Sequence, residues 1–519
     1  MQNDNVRFKI IFFGLLFLGL FGLAKSSWAA TYYIDYASGN DSNNGLSTTG
    51  PWKRAPGMTG FSGSYSHLAG DVFVFKGGVT WPLNMMNSNL TAFRLTNGGS
   101  GINSEDVYMG GQRCGQTGSV SCNGNSVWGD GYPLFDGGGT IRGLEALIDT
   151  YGKANLIFDG LKLYNAGTGT TNQRTMGFNI LYGKSNITIK NCWIEPLGVE
   201  GISYEASGAV TGFYVYNNHF KGAGRYVIYA QQTDGESLTD LQIHDNLMEG
   251  PGNLDIGGFH GDGWMIGPTT GTPGSSYTGI NNFLYYNNRH YGDWHIGVSW
   301  QLGFSGSNAR VYNNVFSVEN STSDIAQVIS PAILTLDNGT NQQVYNNTFS
   351  SDSLTDGRYA AACVFITERV AQVTIKGNVF SKCGSGIWTA YNGIVADNNL
   401  YFTNTHLIAG SPGCDNLSAC QTLGYEINGI FGDPKFVALP SGGVAGSGDF
   451  GIQASSPAKD ALPRNEAPTT IFTTDILGVY RPEGTAWDIG AYEYVPGGRY
   501  HPTGRADGPY RKLIGGRPN

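Results

Sequence analysis

The chain has 519 residues, of which 78 are glycine and 13% are aromatic, whereas only 14% are charged. Its formal charge of −9 gives no bulk electrostatic attraction to nucleic acid or to anionic lipid, which excludes functions built on such attraction. Because it is rich in glycine and aromatic residues and poor in helix formers, this composition predicts many short strands joined by tight turns.

The first 29 residues have the pattern of a secretory signal peptide. Arg7 and Lys9 precede an apolar run over 10–23, and Ser27 and Ala29 are small residues at the two positions that a signal peptidase reads. The run is too short and wrongly flanked for a membrane span, and no later segment is long and apolar enough. We therefore expect a secreted protein, extracellular or periplasmic or held at the cell surface. Its formal charge after removal of 1–29 is −11, because three basic and one acidic side chains are lost.

The chain contains seven cysteines. Two close pairs bracket loops rich in small polar residues, and in an exported protein each pair predicts a local disulfide: Cys114–Cys122 and Cys414–Cys420. The other three lie in apolar runs and are predicted to be buried thiols: Cys192, Cys363 and Cys383.

A short motif recurs along the chain, in which a few alternating apolar residues are followed by Asn, Asp or Gly at a turn. The turn positions are Gly160, Asn191, Asn217, Asp245, Asn287, Asn313, Asn346, Gly377 and Asp397. Their spacing averages about 30 residues, a period typical of a solenoid. Because the alternation has the period of strands in every copy, helical repeats are excluded. The pattern predicts an all-β solenoid, a parallel β-helix with three short strands in each coil and about 4.8 Å between coils.

The residue after the turn is asparagine in seven consecutive coils. Stacked Asn side chains can hydrogen-bond along the solenoid, and Asn tolerates the left-handed backbone that a sharp bend requires. We interpret this column as scaffold without a chemical role: Asn218, Asn246, Asn288, Asn314, Asn347, Asn378 and Asn398.

Segments at both ends of the chain resemble one family. The stretch 31–47 with the following Pro51 and Trp52 is similar to the entry segment of the right-handed parallel β-helix, pectate-lyase-like superfamily, and 69–78 is similar to its first coil strand. The stretches 431–437, 455–460 and 488–494 are similar to its closing segment. The resemblance covers 32–494 and implies a right-handed parallel β-helix in an exported carbohydrate-active protein. Because many activities share this scaffold, the resemblance leaves the reaction open.

The pattern divides the mature chain into four parts. Residues 30–110 are expected to form an N-terminal cap and the first coils, and 111–405 the main solenoid. Residues 406–495 are expected to close the C-terminal end, so that the last coil leaves no open edge. Residues 496–519 carry five basic side chains among Gly and Pro, a composition typical of a flexible tail.

The longest interval of the repeat contains the densest polar cluster, at 260–264. Its stretch 260–267 aligns without gaps with 291–298, which pairs Asp262 with Asp293. Coils stacked in register would place these carboxylates about one inter-strand spacing apart. Glu200 is expected two coils before Asp262, with Arg225 between them.

Two carboxyl groups, one protonated and one ionised, are what hydrolysis of a glycosidic bond uses, and a nearby His can relay the proton. The predicted catalytic residues are Asp262, Asp293, His260, His295, Glu200 and Arg225. Flat apolar faces for sugar rings are predicted from Trp264, Trp294, Tyr291 and Tyr226. The layout resembles that of polygalacturonase-type β-helix hydrolases, but their characteristic segments are absent, so the resemblance implies the layout and not the substrate.

Three other interpretations compete with a hydrolase that needs no cofactor. A polysaccharide lyase would use basic groups with Ca²⁺ held by Glu200, Asp262 and Asp293, but the low basic content makes this the second candidate. A surface protein could bind glycan without cleaving it. Asp-Gly at a strand start is also common turn chemistry, which gives these residues a purely structural alternative. In each functional case we expect a monomer whose partner is a polysaccharide.

Overall fold

The structure is a computed structural model, and it describes residues 29–82, 91–117, 119, 122, 126–138, 145–165, 175–195, 200–222, 226–232, 237–249, 262–268, 280–292, 298–300, 308–318, 332–336, 339–351, 362–367, 370–439 and 448–497. The predicted signal peptide, up to residue 28, and the basic tail beyond residue 497 lie outside this part of the chain. Within it, no helix is both long and apolar enough to cross a membrane.

Three long parallel sheets and one antiparallel pair of strands contain all the named strands. Sheet A consists of β1 (Thr31–Ile34), β2 (Val72–Phe75), β5 (Asp106–Gly110), β8 (Leu156–Asp159), β11 (Ile187–Lys190), β14 (Ala209–Tyr216), β17 (Ser237–His244), β20 (Ile280–Asn281), β21 (Leu284–Tyr286), β24 (Arg310–Tyr312), β27 (Gly339–Tyr345), β30 (Val370–Lys376) and β33 (Ile394–Asp397).

Sheet B consists of β4 (Thr91–Arg94), β7 (Glu145–Asp149), β10 (Thr175–Gly183), β13 (Glu200–Ala206), β16 (Tyr226–Gln232), β19 (Asp262–Pro268), β23 (Val298–Trp300), β26 (Ala332–Leu336), β29 (Ala362–Ile366), β32 (Ser385–Thr389) and β35 (His406–Gly410).

Sheet C consists of β3 (Thr80–Pro82), β6 (Leu134–Asp136), β9 (Lys162–Tyr164), β12 (Trp193–Glu195), β15 (His219–Lys221), β18 (Leu247–Glu249), β22 (Arg289–Gly292), β25 (Val315–Val318), β28 (Thr348–Ser351), β31 (Val379–Ser381), β34 (Leu400–Phe402) and β36 (Ile430–Phe431). The antiparallel pair is β37 (Phe436–Ala438) with β38 (Asp449–Ile452), and the helical elements are a 3₁₀ turn (Gly111–Arg113) and α1 (Leu417–Thr422).

Each regular coil adds one strand to each sheet, and every strand of the three sheets pairs in parallel with its equivalent in the next coil. The parallel β-helix predicted from the repeat is therefore confirmed. Its interior is apolar and ordered in columns. In sheet C, for example, Phe316 stacks on Phe349 with ring centroids 4.9 Å apart, and Phe349 lies 5.4 Å from Phe380 in the next coil.

The corner between sheets A and C contains the predicted asparagine ladder. At Asn314, the side-chain Oδ1 accepts the backbone N–H of Asn288 (2.8 Å), and Nδ2 donates to the Tyr285 carbonyl (3.0 Å) and to Oδ1 of Asn347 (2.9 Å). The same pattern recurs at each rung: Asn218, Asn246, Asn288, Asn314, Asn347, Asn378 and Asn399. Because every rung satisfies buried backbone groups of its neighbours, the column is scaffold.

One rung of the ladder was assigned wrongly. The last asparagine is Asn399 and not Asn398, because Asn398 occupies the left-handed turn position, with a φ of 56°. The ladder ends at buried Glu426, whose carboxylate accepts the backbone N–H and the Nδ2 of Asn399 (3.2 and 2.7 Å) and the Tyr401 hydroxyl (2.8 Å). Burial raises the pKa of Glu426 to about 7, although these hydrogen bonds oppose the shift.

Three disulfides are formed in the structure. Two are the predicted pairs, Cys114–Cys122 and Cys414–Cys420. The third joins Cys363 to Cys383, so the prediction that these two are free thiols is wrong. They lie on successive coils, since β29 pairs with β32, and their Cα atoms are 5.7 Å apart. Cys192 is a buried free thiol, as predicted.

The C-terminal segment over 448–497 folds back along the outside of the solenoid. It covers the corner between sheets A and C, where Phe472 stacks on Tyr312 with ring centroids 4.6 Å apart. Arg481 fixes this contact, because its guanidinium donates to Asn313 Oδ1 (3.2 Å) and to Glu493 Oε1 (2.8 Å). This flank of the solenoid is therefore buried by the chain itself.

Candidate functional site

The outward face of sheet B presents two rows of residues. At the start of β16, Val227 and Ile228 both pack in the interior, whereas Tyr226 and Tyr229 form a separate cluster with ring centroids 5.0 Å apart. The first and the fourth residues of this strand therefore share the outward face. We name the corresponding positions on the other strands row one and row four.

Row one runs through Met176, Glu200, Tyr226 and Asp262. Row four runs through Arg94, Asp149, Asn179, Ser203, Tyr229, Met265, Ser299, Thr335, Phe365, Trp388 and Ala409.

Glu200 and Asp262 occupy row one on either side of Tyr226. The register pairs Glu200 with Tyr226 and Tyr226 with Asp262, so Glu200 lies two coils before Asp262 as expected, whereas the position between them, expected for Arg225, belongs to Tyr226. Two inter-strand steps separate the two Cα positions by about 9.6 Å. The side chain of Glu200 is fully buried, and Tyr226 is 2% exposed. The backbone thus brings two carboxyl-bearing residues to one row, with an aromatic residue between them.

Several of the predicted site residues lie outside the described part of the chain: His260, Asp293, Trp294, His295 and Arg225. The gap-free alignment that paired Asp262 with Asp293 would also pair Met265 with residue 296. In the structure Met265 pairs with Ser299, so the alignment is displaced by three residues on β23. The register aligns Trp264 with Ile202 and Ile228, which pack in the core, and the role of Trp264 in binding a sugar ring stays a prediction.

Tyr291 is not a residue of sheet B. It lies on β22 in sheet C, level with Glu249 and Ser317, because the strand that follows the Asn turn extends to Gly292. The C-terminal segment covers its ring, which is 6% exposed and stacks on Phe450. Its predicted role in binding a sugar ring is therefore wrong.

Row four changes its chemistry along the solenoid. Near the N-terminal end, Arg94 Nε donates to buried Asp149 across 3.1 Å. Burial raises the pKa of Asp149, while the Tyr151 backbone N–H and Arg94 oppose the shift. Near the C-terminal end, Phe365 and Trp388 stack with ring centroids 4.4 Å apart and an interplanar angle of 9°. Both rings are partly exposed, so they give this end of the face an apolar surface.

Sequence reasoning missed row four because the alignment used only the polar residues at the strand starts. The aromatic residues in A-C-V-F-I at 362–366 and S-G-I-W-T at 385–389 are the signal that was available. In each strand the aromatic residue is the fourth, and the other side chains are small or aliphatic.

Among the described residues, no group of three or more His, Cys, Asp or Glu side chains is arranged to hold a metal ion. Since Asp293 lies outside them, the Ca²⁺ site predicted for a lyase stays a prediction.

Comparison with known proteins yields likenesses of fold. No family model matches the chain, and no curated protein matches it. Among solved structures, pectate lyase Pel9A is 14% identical with a TM-score of 0.47, over 90% of this chain and 97% of that one. The GH136 lacto-N-biosidase from Eubacterium ramulus is 14% identical with a TM-score of 0.46, over 72% of this chain. XylC in complex with xylose is 10% identical with a TM-score of 0.42, over 90% of this chain and 98% of that one.

This chain spans 64% of the lacto-N-biosidase, which is less than two thirds of its length. Because all three TM-scores are below 0.5, these likenesses carry no argument about the reaction. The parallel β-helix assigned above rests on the strand pairing of this chain.

Proposed function

We propose that this protein is an exported, monomeric glycoside hydrolase that cleaves a polysaccharide on the outward face of sheet B. One observation carries the proposal: Glu200 and Asp262 share row one, two strands apart, with Tyr226 between them. Acid–base cleavage of a glycosidic bond uses a pair of carboxyl groups, and the register brings two carboxyl-bearing residues to one row.

Acid–base cleavage divides two roles between the carboxyl groups of Glu200 and Asp262. One of them protonates the leaving oxygen as the acid, and the other activates water as the base. Carboxyl groups about 6.5–9.5 Å apart leave room for that water and invert the anomeric configuration. A base that activates water, and does not itself form a covalent intermediate, corresponds to this inverting route.

Row four supports a polymeric substrate. The stacked pair Phe365 and Trp388 lies on the same outward face, at the C-terminal side of row one. Partly exposed aromatic rings offer apolar faces of the kind that the C–H faces of sugar rings contact.

A panel of polysaccharides with product analysis tests the reaction type. The hydrolase is expected to release reducing ends with no ultraviolet absorption from an unsaturated product and with no loss of activity after chelation. Proton NMR of the first product is expected to show the anomeric configuration inverted. An unsaturated product with chelator-sensitive activity would replace the hydrolase by a Ca²⁺-dependent lyase, and binding without turnover would replace it by a glycan-binding surface protein.

A further inference from the structure

Two tyrosines at the C-terminal ends of strands β7 and β10 of sheet B adopt a left-handed backbone. The φ of Tyr151 is 46° and that of Tyr182 is 54°. Side chains with a Cβ disfavour this region, and a bulky residue there is an outlier, whereas Asn tolerates it. The other described non-glycine residues with positive φ are mostly Asn and Asp, and these two are the aromatic ones among them. The backbone at both positions is therefore strained by the presence of a tyrosine.

Burial does not compensate this strain. Tyr151 is 50% exposed and Tyr182 is 55% exposed, and neither packs in a core cluster of the described residues. A strained residue persists where the surrounding structure holds it, and such residues cluster at ligand sites. Exposed aromatic rings in such a conformation point to a ligand outside the protein.

The two tyrosines are neighbours on successive coils. Tyr151 follows β7, and Tyr182 lies in the irregular part of β10, between the paired residues Ile180 and Gly183. A Cβ added at Gly152 would lie 3.7 Å from the Cβ of Tyr182, which shows that the two turns touch. We call this pair, Tyr151 and Tyr182, the tyrosine shelf.

Asp149 holds one side of the shelf in place. Its Oδ1 accepts the backbone N–H of Tyr151 (2.9 Å), and its Oδ2 accepts Nε of Arg94 (3.1 Å). The guanidinium of Arg94 then lies over the Tyr151 ring, 4.3 Å from its centroid. Within the described part of the chain, the two Nη groups of Arg94 donate to no protein acceptor. The shelf thus combines aromatic faces with an available hydrogen-bond donor, positioned by a buried carboxylate.

We propose that the tyrosine shelf binds a sugar ring of the polysaccharide, which stacks on the tyrosines while Arg94 donates hydrogen bonds to its oxygen atoms. This inference rests on the proposed hydrolase function, because it assigns a second contact to the same substrate. Tyr182 lies six residues beyond Met176 of row one on the same strand, a distance of about 20 Å. A glycan bound at both places therefore runs along the strand direction of sheet B, from row one to the shelf, and only a chain long enough to span that distance engages both.

The test compares long and short chains of the substrate that the wild type cleaves. The variant is Tyr151→Asn with Tyr182→Asn, because Asn relieves the left-handed backbone while it removes both rings. We expect KM on the polymer to rise about tenfold, with kcat little changed and Tm equal or higher. On an oligosaccharide too short to span about 20 Å, KM is expected to stay at the wild-type value.

Two controls separate stacking from other effects. Tyr480→Asn removes a ring that is 71% exposed in the C-terminal segment, and it should leave KM unchanged. The conservative variant Tyr151→Phe with Tyr182→Phe keeps the rings and should restore the wild-type KM on the polymer. An unchanged KM for the double Asn variant on the polymer overturns the shelf and leaves the hydrolase standing.

Affinity electrophoresis in gels that contain polygalacturonate, xylan or galactan covers the case in which the wild type cleaves no glycan. Retarded migration of the wild type but not of the double Asn variant would support the shelf while the hydrolase proposal fails. Equal retardation of both proteins would overturn the shelf. If none of these glycans retards the wild type and the wild type cleaves none of them, both proposals fall.

Discussion

The asparagine corner and the outward face of sheet B are built on the same coils, yet their sequences behave differently. At the corner, the same residue type recurs with the same hydrogen-bond partners, because each rung must satisfy the same buried backbone groups. Along row four the residue type changes from Arg94 and Asp149 to Phe365 and Trp388. The coil geometry dictates the residue at the corner, whereas it leaves row four free to meet other requirements. A solenoid position that fails to repeat is therefore where a ligand site is to be sought.

The largest loss of stability is expected from a substitution at the contact between the C-terminal segment and the corner of sheets A and C. Arg481 is fully buried, and it donates to Glu493 Oε1 (2.8 Å) and to the carbonyls of Asp488 (3.0 Å) and Gly490 (2.8 Å). Replacing it by methionine leaves the buried carboxylate of Glu493 without its counter-charge, and we expect a loss of about 4 kcal/mol in the free energy of unfolding. Urea denaturation measures this loss.

The exposed Arg464 offers a matched control, since Arg464→Met should change the free energy of unfolding by less than about 0.5 kcal/mol. Equal stability of the Arg481→Met variant and the wild type would mean that the segment does not seal the corner.

The second largest loss of stability is expected from removing one rung of the asparagine ladder. Asn314→Ala removes the acceptor of the Asn288 N–H and the donor to the Tyr285 carbonyl, and both backbone groups are buried. Because each orphaned group costs about 1–3 kcal/mol, we expect the variant to lose about 3 kcal/mol of stability. Chemical denaturation followed by circular dichroism gives the value. The exposed Asn392→Ala is the control, and a loss of less than about 1 kcal/mol at Asn314 would contradict the scaffold role.

Prediction from the sequence also succeeded to different degrees at the asparagine corner and on the outward face of sheet B. The ladder could be predicted because its period and its residue type are constant. The prediction failed only at the last rung, where Asn398 and Asn399 are adjacent in the sequence. The disulfide of Cys363 with Cys383 was missed because its ends are distant in sequence and adjacent only through stacking.

Outside the ladder, the accuracy of prediction was limited by the register between strands of successive coils. Glu200 was placed correctly relative to Asp262, because β13, β16 and β19 pair in register on successive coils. Tyr291 was misplaced, because the strand after the Asn turn extends to Gly292 and so keeps Tyr291 in sheet C, where it stacks on Phe450. The tyrosine shelf could not be predicted, since nothing in the local sequence reveals that Tyr151 and Tyr182 adopt positive φ.

The smallest effect is a pH dependence at the end of the ladder. The pKa of Glu426 is raised by burial from 4.5 to about 7. The folded state therefore holds this proton more tightly than the unfolded state does. The stabilisation is fully present below pH 4.5 and is lost as the pH rises through about 7. The difference in free energy of unfolding between the wild type and Glu426→Gln should fall by on the order of 2 kcal/mol from pH 5 to pH 8.

Using that difference removes the titrations that both proteins share, and it also removes any constant cost of placing an amide beside Asn399. A difference that stays constant with pH would show that Glu426 is ionised throughout and that the end of the ladder carries a charge.

Row one of sheet B is proposed to be the reacting surface, whereas the corner is scaffold. The most direct test is kcat for Glu200→Gln and for Asp262→Asn on the glycan that the wild type cleaves, with Asp415→Asn as a control because its side chain is 69% exposed on another part of the molecule. We predict that each row-one variant loses about 10²–10⁴-fold in kcat while its Tm stays within a few degrees of the wild type, and that the control keeps its activity. Wild-type kcat in either row-one variant would contradict the claim.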